Sequence, residues 1–382
     1  LAEDEVNVMA SDRHARPRAR DAGIVIGTMQ PGLDNAITDV PGVGVGHVTV
    51  VSGQGALIPG SGPVRTGVTA ILPHPGNLFR AKVPAAIHVI NGFGKSTGLA
   101  QVAELGNIET PIVLTNTLSV GTAWDAVVTH MIGDNPDIGV GTVGTVNPVI
   151  GECNDGYLND IQGRHVRADH VLQALDAARG GPVAEGCVGA GTGMSAFGFK
   201  GGIGTASRIL PEALGGFAVG VLVLANFGRR VDLVIDGVPV GLRLADWQPA
   251  AKIDVGSVMV VMATNAPASD RQLGRLARRG AHGLSRTGSI AGHGSGDFAI
   301  AFATEGLLPA EGDSLVNSSL RLAEDGALLG GLFQAVIEAT EEAVINALFA
   351  AETTVGRDDH VRYALPVDVV QELMATHGRL KR

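Results

Sequence analysis

Gly256-Ser257 stands directly before the apolar run Val258-Met259-Val260-Val261-Met262-Ala263, and this junction could do chemistry. Two readings of it are open. In one, Gly256 turns the chain and Ser257 merely begins a strand. In the other, the bond between them is cut, and Ser257 becomes an N-terminus with a hydroxyl and a free α-amine on one residue. Such an amine has an ordinary pKa of about 7.7–8.0, so part of it is neutral near physiological pH and can take the proton of its own hydroxyl. Glycine on the other side suits self-cleavage, because without a Cβ it permits strained backbone and close approach of the hydroxyl. A serine at a strand start is also held rigidly, as nucleophilic attack requires.

The rival motifs lack the context their chemistry needs. Gly139-Val140-Gly141-Thr142-Val143-Gly144 has dinucleotide-fingerprint spacing, but Thr145-Val146-Asn147-Pro148 follows where a helix N-terminus should hold the pyrophosphate. Gly94-Lys95-Ser96 resembles the end of a phosphate loop, yet the required earlier glycine is Val89. The 11 histidines include no H-E-x-x-H, and Cys153 and Cys187 are too far apart for a zinc knuckle. Gly193-Met194-Ser195-Ala196-Phe197 lacks the second glycine of a nucleophile elbow. Asp358-Asp359-His360 reads as a solvated turn. No metal and no organic cofactor is expected.

Elements to position Ser257 are easy to find. Strand signatures occur at His47–Val51, Thr66–Leu72, Ala85–Ile90, Pro111–Thr115, Gly216–Ala225, Val231–Ile235, Ser257–Ala263 and Phe298–Phe302. Helical patterns occupy Thr97–Leu105, Val120–Ile132, His170–Arg179, Gln272–His282, Ala327–Ala350 and Val367–His377. In the longest helix Leu329, Leu332, Val336, Thr340, Val344 and Leu348 make a core stripe, with Glu338, Glu341 and Glu342 off it. Alternating strands and helices predict an α/β sandwich with helix-covered sheets.

Composition agrees with a large buried core. The 382 residues are 45% apolar and only 17% charged, which excludes a disordered chain. Glycine numbers 55, roughly twice the usual share. A net charge of −10 argues against a nucleic-acid partner, and no apolar run nears the ~20 residues of a membrane span. The two cysteines read as small buried thiols. Residues 1–22, with Arg13, Arg16, Arg18 and Arg20, are expected to be a solvated tail, and 23–382 a single domain.

Several segments together carry a family resemblance. They are Asn35-Ala36-Ile37-Thr38-Asp39-Val40-Pro41-Gly42-Val43, Glu109-Thr110-Pro111-Ile112 and Leu114-Thr115-Asn116-Thr117. Further along come Gly151-Glu152-Cys153-Asn154-Asp155-Gly156-Tyr157-Leu158-Asn159-Asp160, Gly189-Ala190-Gly191-Thr192-Gly193-Met194 and Gly201-Gly202-Ile203-Gly204-Thr205-Ala206-Ser207. Gly256-Ser257 and Gly292-His293-Gly294-Ser295-Gly296-Asp297 complete the set. In this order, from about Pro31 to Pro366, the chain resembles the self-processing L-aminopeptidase/D-esterase/amidases and β-peptidyl aminopeptidases.

The resemblance implies a four-layer αββα sandwich of the N-terminal-nucleophile type. It implies self-cleavage into 1–256 and 257–382, and a homo-oligomer, commonly a tetramer of such cleaved heterodimers. Ser257 matches the nucleophile and Asn226 the oxyanion-hole amide. Ser295 and Asp297 match polar residues that would orient the new amine, and Tyr157 a tyrosine lining the site. Read without the resemblance, Asn226 turns the chain after a strand, Asp297 caps, and Tyr157 packs. Relatives that cut other amides use Thr as nucleophile, so Ser257 with Asp297 points to the aminopeptidase/esterase branch.

The expected enzyme removes an N-terminal residue from short peptides, amides or esters bearing a free amine, including D- or β-residues. The alternatives are an acyltransferase built on the same nucleophile and a non-catalytic oligomeric binding protein. Cytoplasmic residence is expected from the cysteine count, and periplasmic residence if the start was processed.

Overall fold

The computed structural model describes residues 16–248, 256–310 and 320–381. Two sheets lie at its centre. The smaller runs β1 (Gly44–Ser52), β2 (Val64–Leu72), β5 (Ile112–Asn116) and β6 (Val149–Cys153) in that order. The larger has the order β13 (Leu308–Pro309), β3 (Ala81–Gly92), β12 (Gly296–Ala303), β11 (Ser257–Thr264), β10 (Ala218–Asn226) and β9 (Gly202–Ile209), with β4 (Asn107–Ile108) also on β3. Two small hairpins, β7 (Ser195–Ala196) with β8 (Phe199–Lys200) and β14 (Thr354–Val355) with β15 (Val361–Arg362), stand apart. The described residues also form helices α1 (Leu99–Leu105), α2 (Val120–Asp134), α3 (Ala168–Asp176), α4 (Val240–Arg243), α5 (Asp270–Arg286), α6 (Gly326–Ala350) and α7 (Val367–Thr376).

Side-chain alternation along β11 explains the layering. Val258, Val260 and Met262 pack with Leu273 and Leu276 of α5 and Leu332 and Val336 of α6. Met259, Val261 and Ala263 face the other way, into a core shared with Leu114, Val149 and Cys153 of the smaller sheet. That sheet in turn buries Val68, Val113 and Ile150 against Val127 and Met131 of α2 and Val171 and Leu175 of α3. The result is the expected αββα sandwich. A strand covered on both faces must be apolar throughout, which is why β11 reads as one continuous hydrophobic run.

Glycine permits the layers to close. An added Cβ on Gly204 of β9 would sit 1.9 Å from the Ala343 carbonyl of α6, so sheet and helix touch backbone to backbone there. The three glutamates beside the α6 stripe are buried, not solvated. Wholly buried Arg208 reaches Glu338 at 3.1 Å and Glu342 at 2.7 Å, and Arg20 closes on Glu342 at 2.7 Å. Glu341 pairs with Arg286. Removing one member of such a group would strand a buried charge, at a cost of about 3–5 kcal/mol.

Three expectations are corrected. Of the tail expected over 1–22, residues 16–22 are docked: Ala19 and Ala22 are buried, and the Arg16 guanidinium donates to Phe349 O and Leu365 O. Residues 1–15 lie outside the described residues. Val231–Ile235 forms no strand; Arg230–Asp232 is a 3-10 turn, drawn in by an Arg229–Asp232 pair and by Arg230 donating to Gly198 O. Cys187 is only half-buried, while Cys153 is fully buried and both are free thiols.

Candidate active site

The site is assembled where strands of the larger sheet end together. Ser257 is the first residue of β11 and Asn226 the last of β10, and the two are direct antiparallel partners. Directly opposed residues share a face, so both side chains emerge on the same side of the sheet. Nδ2 of Asn226 lies 3.4 Å from the Ser257 Oγ and donates at 3.0 Å to the Asn154 carbonyl. Its Oδ1 accepts the Ser195 N–H at 2.9 Å, which fixes the amide's orientation. Both residues are nearly buried, and the thiol of Cys153 lies against the Ser257 hydroxyl. Burial pushes that thiol well up, so Cys153 stays a neutral wall.

Crowding explains Gly256. A Cβ there would meet Phe227 Cα at 2.7 Å and the Asn226 carbonyl at 3.0 Å, so a side chain would push the junction away from Asn226.

On its other side β11 pairs in parallel with β12, placing Gly296 opposite Ser257 and Asp297 opposite Val258. The Asp297 carboxylate accepts the Val258 N–H and the Ser295 hydroxyl, the latter at 2.5 Å. It is therefore anchored one residue from the Ser257 nitrogen. Burial raises its pKa to about 6, against the opposing pull of these two hydrogen bonds.

Tyr157 approaches from the turn after β6. Its ring stacks on His360, with centroids 4.5 Å apart and planes 12° apart, and the Arg362 guanidinium carbon lies 3.5 Å from its centroid. Glu152 is buried on β6, accepting the Lys95 N–H at 2.8 Å and the Thr117 hydroxyl. It also borders Gly94, whose own Cα approaches Gly296. Among the described residues no group of three or more His, Cys, Asp or Glu is placed to hold a metal.

A serine hydroxyl beside a fixed amide donor, with a carboxylate near its nitrogen, is the equipment of acyl transfer. The comparisons with known proteins point the same way. Residues 35–362 match the model of peptidase family S58. The chain belongs to peptidase family S58. Among curated proteins it is 44% identical to the β-peptidyl aminopeptidase BapA of Sphingosinicella xenopeptidilytica, over 97% of this chain and 94% of that one. Among solved structures it resembles a Burkholderia sp. β-aminopeptidase, with 42% identity, TM-score 0.88, and coverage of 95% and 99% of the two chains. It also resembles the L-aminopeptidase D-Ala-esterase/amidase of Ochrobactrum anthropi, described as a variant of the Ntn hydrolase fold. There identity is 39%, TM-score 0.88, and coverage 96% and 100%. The family, the fold and the aminopeptidase class expected from the sequence are thereby shown.

Within this S58 chain Ser257, Asn226, Ser295, Asp297 and Gly256 converge, and Tyr157 joins them through Asn154 and Arg362. Sequence reasoning missed Glu152 and Cys153, although both lie inside a segment that carried the resemblance. It weighed Ser195 only as a nucleophile elbow, which it rejected, and missed Arg362 altogether. His360, read as part of a solvated turn, instead stacks on Tyr157 because its Nδ1 bonds the Tyr157 carbonyl at 2.9 Å.

Asp297 supplies a stability test. Its folded pKa of about 6 exceeds the ordinary carboxylate value. A raised acid costs nothing when protonated in both states, and its cost grows with pH up to the folded pKa. Asp297→Asn should therefore stabilise the protein at pH 8 by about 1–3 kcal/mol and leave it unchanged at pH 3. Urea midpoints in a Ser257→Ala background would show it, and equal gains at both pH values would refute it.

Proposed function

We propose that this S58 aminopeptidase is a self-processing N-terminal-serine hydrolase acting through an acyl-enzyme on Ser257. One observation carries the reading: Ser257 opens β11 directly opposite Asn226, with the Asp297 carboxylate anchored one residue away. Cleavage of the Gly256–Ser257 bond would turn the Ser257 nitrogen into an amine. That amine takes the hydroxyl proton as Oγ attacks the substrate carbonyl, and Asn226 Nδ2 donates to the developing oxyanion. The protonated amine then gives its proton to the leaving amine, and water releases the acyl group by the reverse sequence. Asp297, with Ser295, holds the amine and stabilises its charged form.

Substrates are short peptides, amino-acid amides or esters with a free N-terminal amine. The names of the relatives favour β-residues and small L- or D-residues among them. A carboxylate must receive the substrate's ammonium, and the candidate is Glu152, which borders Gly94, itself against the Gly296 that pairs with Ser257. The working form is a tetramer of cleaved heterodimers, as the low charge and buried layers would suit.

A denaturing gel with N-terminal sequencing tests the reading. Purified protein should give fragments of roughly 26 and 13 kDa, the 39.0 kDa chain divided in proportion to residues, the smaller beginning Ser257-Val258. It should also release free amino acid from a β-dipeptide or an amino-acid amide. A whole chain with full activity would overturn the proposal.

A further inference from the structure

The Arg362–Tyr157–His360 stack has a geometry that packing alone does not require. His360 lies nearly parallel to the Tyr157 ring at 4.5 Å between centroids, and the Arg362 guanidinium carbon is 3.5 Å from the same centroid. One face of a six-membered ring cannot hold both at those distances without their overlapping, so the two groups grip opposite faces. Arg362 is buried to within 1% of its surface, although a guanidinium strongly prefers water. Its Nε donates to the Ser195 hydroxyl at 2.8 Å. Ser195 in turn gives its backbone N–H to Oδ1 of Asn226 at 2.9 Å. The Tyr157 hydroxyl, by contrast, makes no hydrogen bond with the described residues, so the phenol is held by its faces while its polar end is left for another partner.

Both gripping residues come from the short hairpin β14–β15 and the turn within it, far along the chain from everything they touch. The hairpin is itself tied back: Arg357 donates through Nε to the Gly156 carbonyl at 2.7 Å, and His360 Nδ1 bonds the Tyr157 carbonyl at 2.9 Å. Arg65 donates to the Val355 carbonyl at 2.8 Å. The turn that carries Tyr157 is thus fastened to the hairpin by main chain as well as by rings.

We propose that Arg362 and His360 are positioning residues, a clamp that fixes the Tyr157 ring and the turn whose Asn154 carbonyl holds Asn226 Nδ2, and, through Ser195, keeps the Asn226 amide aimed at Ser257. The inference rests on the proposed Ser257 mechanism. Its consequence is that residues remote from the nucleophile in sequence set kcat. A desolvated cation–π contact to a buried guanidinium holds one ring orientation against rotation. Misplacing an oxyanion donor by about 1 Å can cost up to 100-fold in rate.

The test compares Arg362→Met, Arg362→Lys, His360→Ala and His360→Phe by kcat and KM on an amino-acid amide, with thermal unfolding recorded for each. Arg362→Met and His360→Ala should lower kcat by about tenfold or more with KM changed less than about threefold. Arg362→Lys, which keeps a cation on the ring, and His360→Phe, which keeps a flat partner, should recover most of that loss. In a Tyr157→Ala background His360→Ala should do little more, because its target is gone, while Arg362→Met should keep only the loss carried through Ser195 to Asn226. Should Arg362→Met fail to fold, the His360 pair still decides, since that ring is less buried. Equal kcat in His360→Ala and wild type, no rescue by Phe, or a His360→Ala loss that multiplies fully with Tyr157→Ala would overturn the clamp. Failure of the clamp would leave activity dependent on Ser257, whereas failure of the mechanism would appear as activity surviving Ser257→Ala.

Discussion

Ser257→Ala is expected to lose at least about 10⁴-fold in kcat/KM and to run as a single 39.0 kDa chain. The two effects share one cause. In the proposed mechanism the hydroxyl that attacks a substrate is also the nucleophile at the Gly256 carbonyl, so deleting it should stop both processing and turnover. Loss of folding would not explain the result. The change removes one oxygen from a buried strand start, whose contacts are a long 3.4 Å approach from Asn226 and the Cys153 thiol. Its expected effect on stability is about 1 kcal/mol. Steady-state kinetics beside a denaturing gel and a thermal unfolding curve would separate these possibilities. Ser257→Cys, which keeps a nucleophile, should retain some processing. An Ala variant that still splits before residue 257, or that keeps activity within 100-fold of wild type, would remove Ser257 from the mechanism.

How much of this was legible beforehand depends on where each interaction lies in the chain. β11 and β12 were readable because strands covered on both faces leave long apolar runs. β9 was not, since Gly202, Gly204, Thr205, Ser207 and Arg208 hide a strand whose polar groups find partners on distant elements such as α6, β10 and the N-terminal segment. The burial of the α6 glutamates was hidden for the same reason. Helical spacing puts them off the apolar stripe, and nothing local says that Arg208 and Arg20 will meet them there. Ser257 and Asn226, the proposed nucleophile and its amide, could be singled out because one opens and the other closes a strong strand, and each matches a family position. Ser195, His360 and Arg362 belong to no periodic pattern. They become neighbours of Tyr157 and Asn226 only when a hairpin more than 130 residues away closes over the turn after β6.

Asn226→Asp is expected to lower kcat by about 10²–10³-fold while KM moves little, the cost of removing one oxyanion donor. The choice of Asp over Ala matters. Oδ1 of Asn226 holds the buried Ser195 N–H at 2.9 Å, and an alanine would leave that donor without a partner at about 1–3 kcal/mol. Aspartate is the same size and keeps that bond, so the fold should survive and only the Nδ2 side should change. There the substitution is doubly unfavourable. It removes the donor facing Ser257 Oγ, and it points a carboxylate oxygen at the Asn154 carbonyl and at the position where negative charge develops. A donor needed only in the transition state leaves substrate binding nearly intact, which is why the loss should fall on kcat. Processing at Gly256–Ser257 should slow in parallel, because the same amide faces both reactions. Activity within threefold of wild type in a folded Asn226→Asp protein would mean that the oxyanion is held elsewhere, and the backbone after Ser257 would then be the place to look.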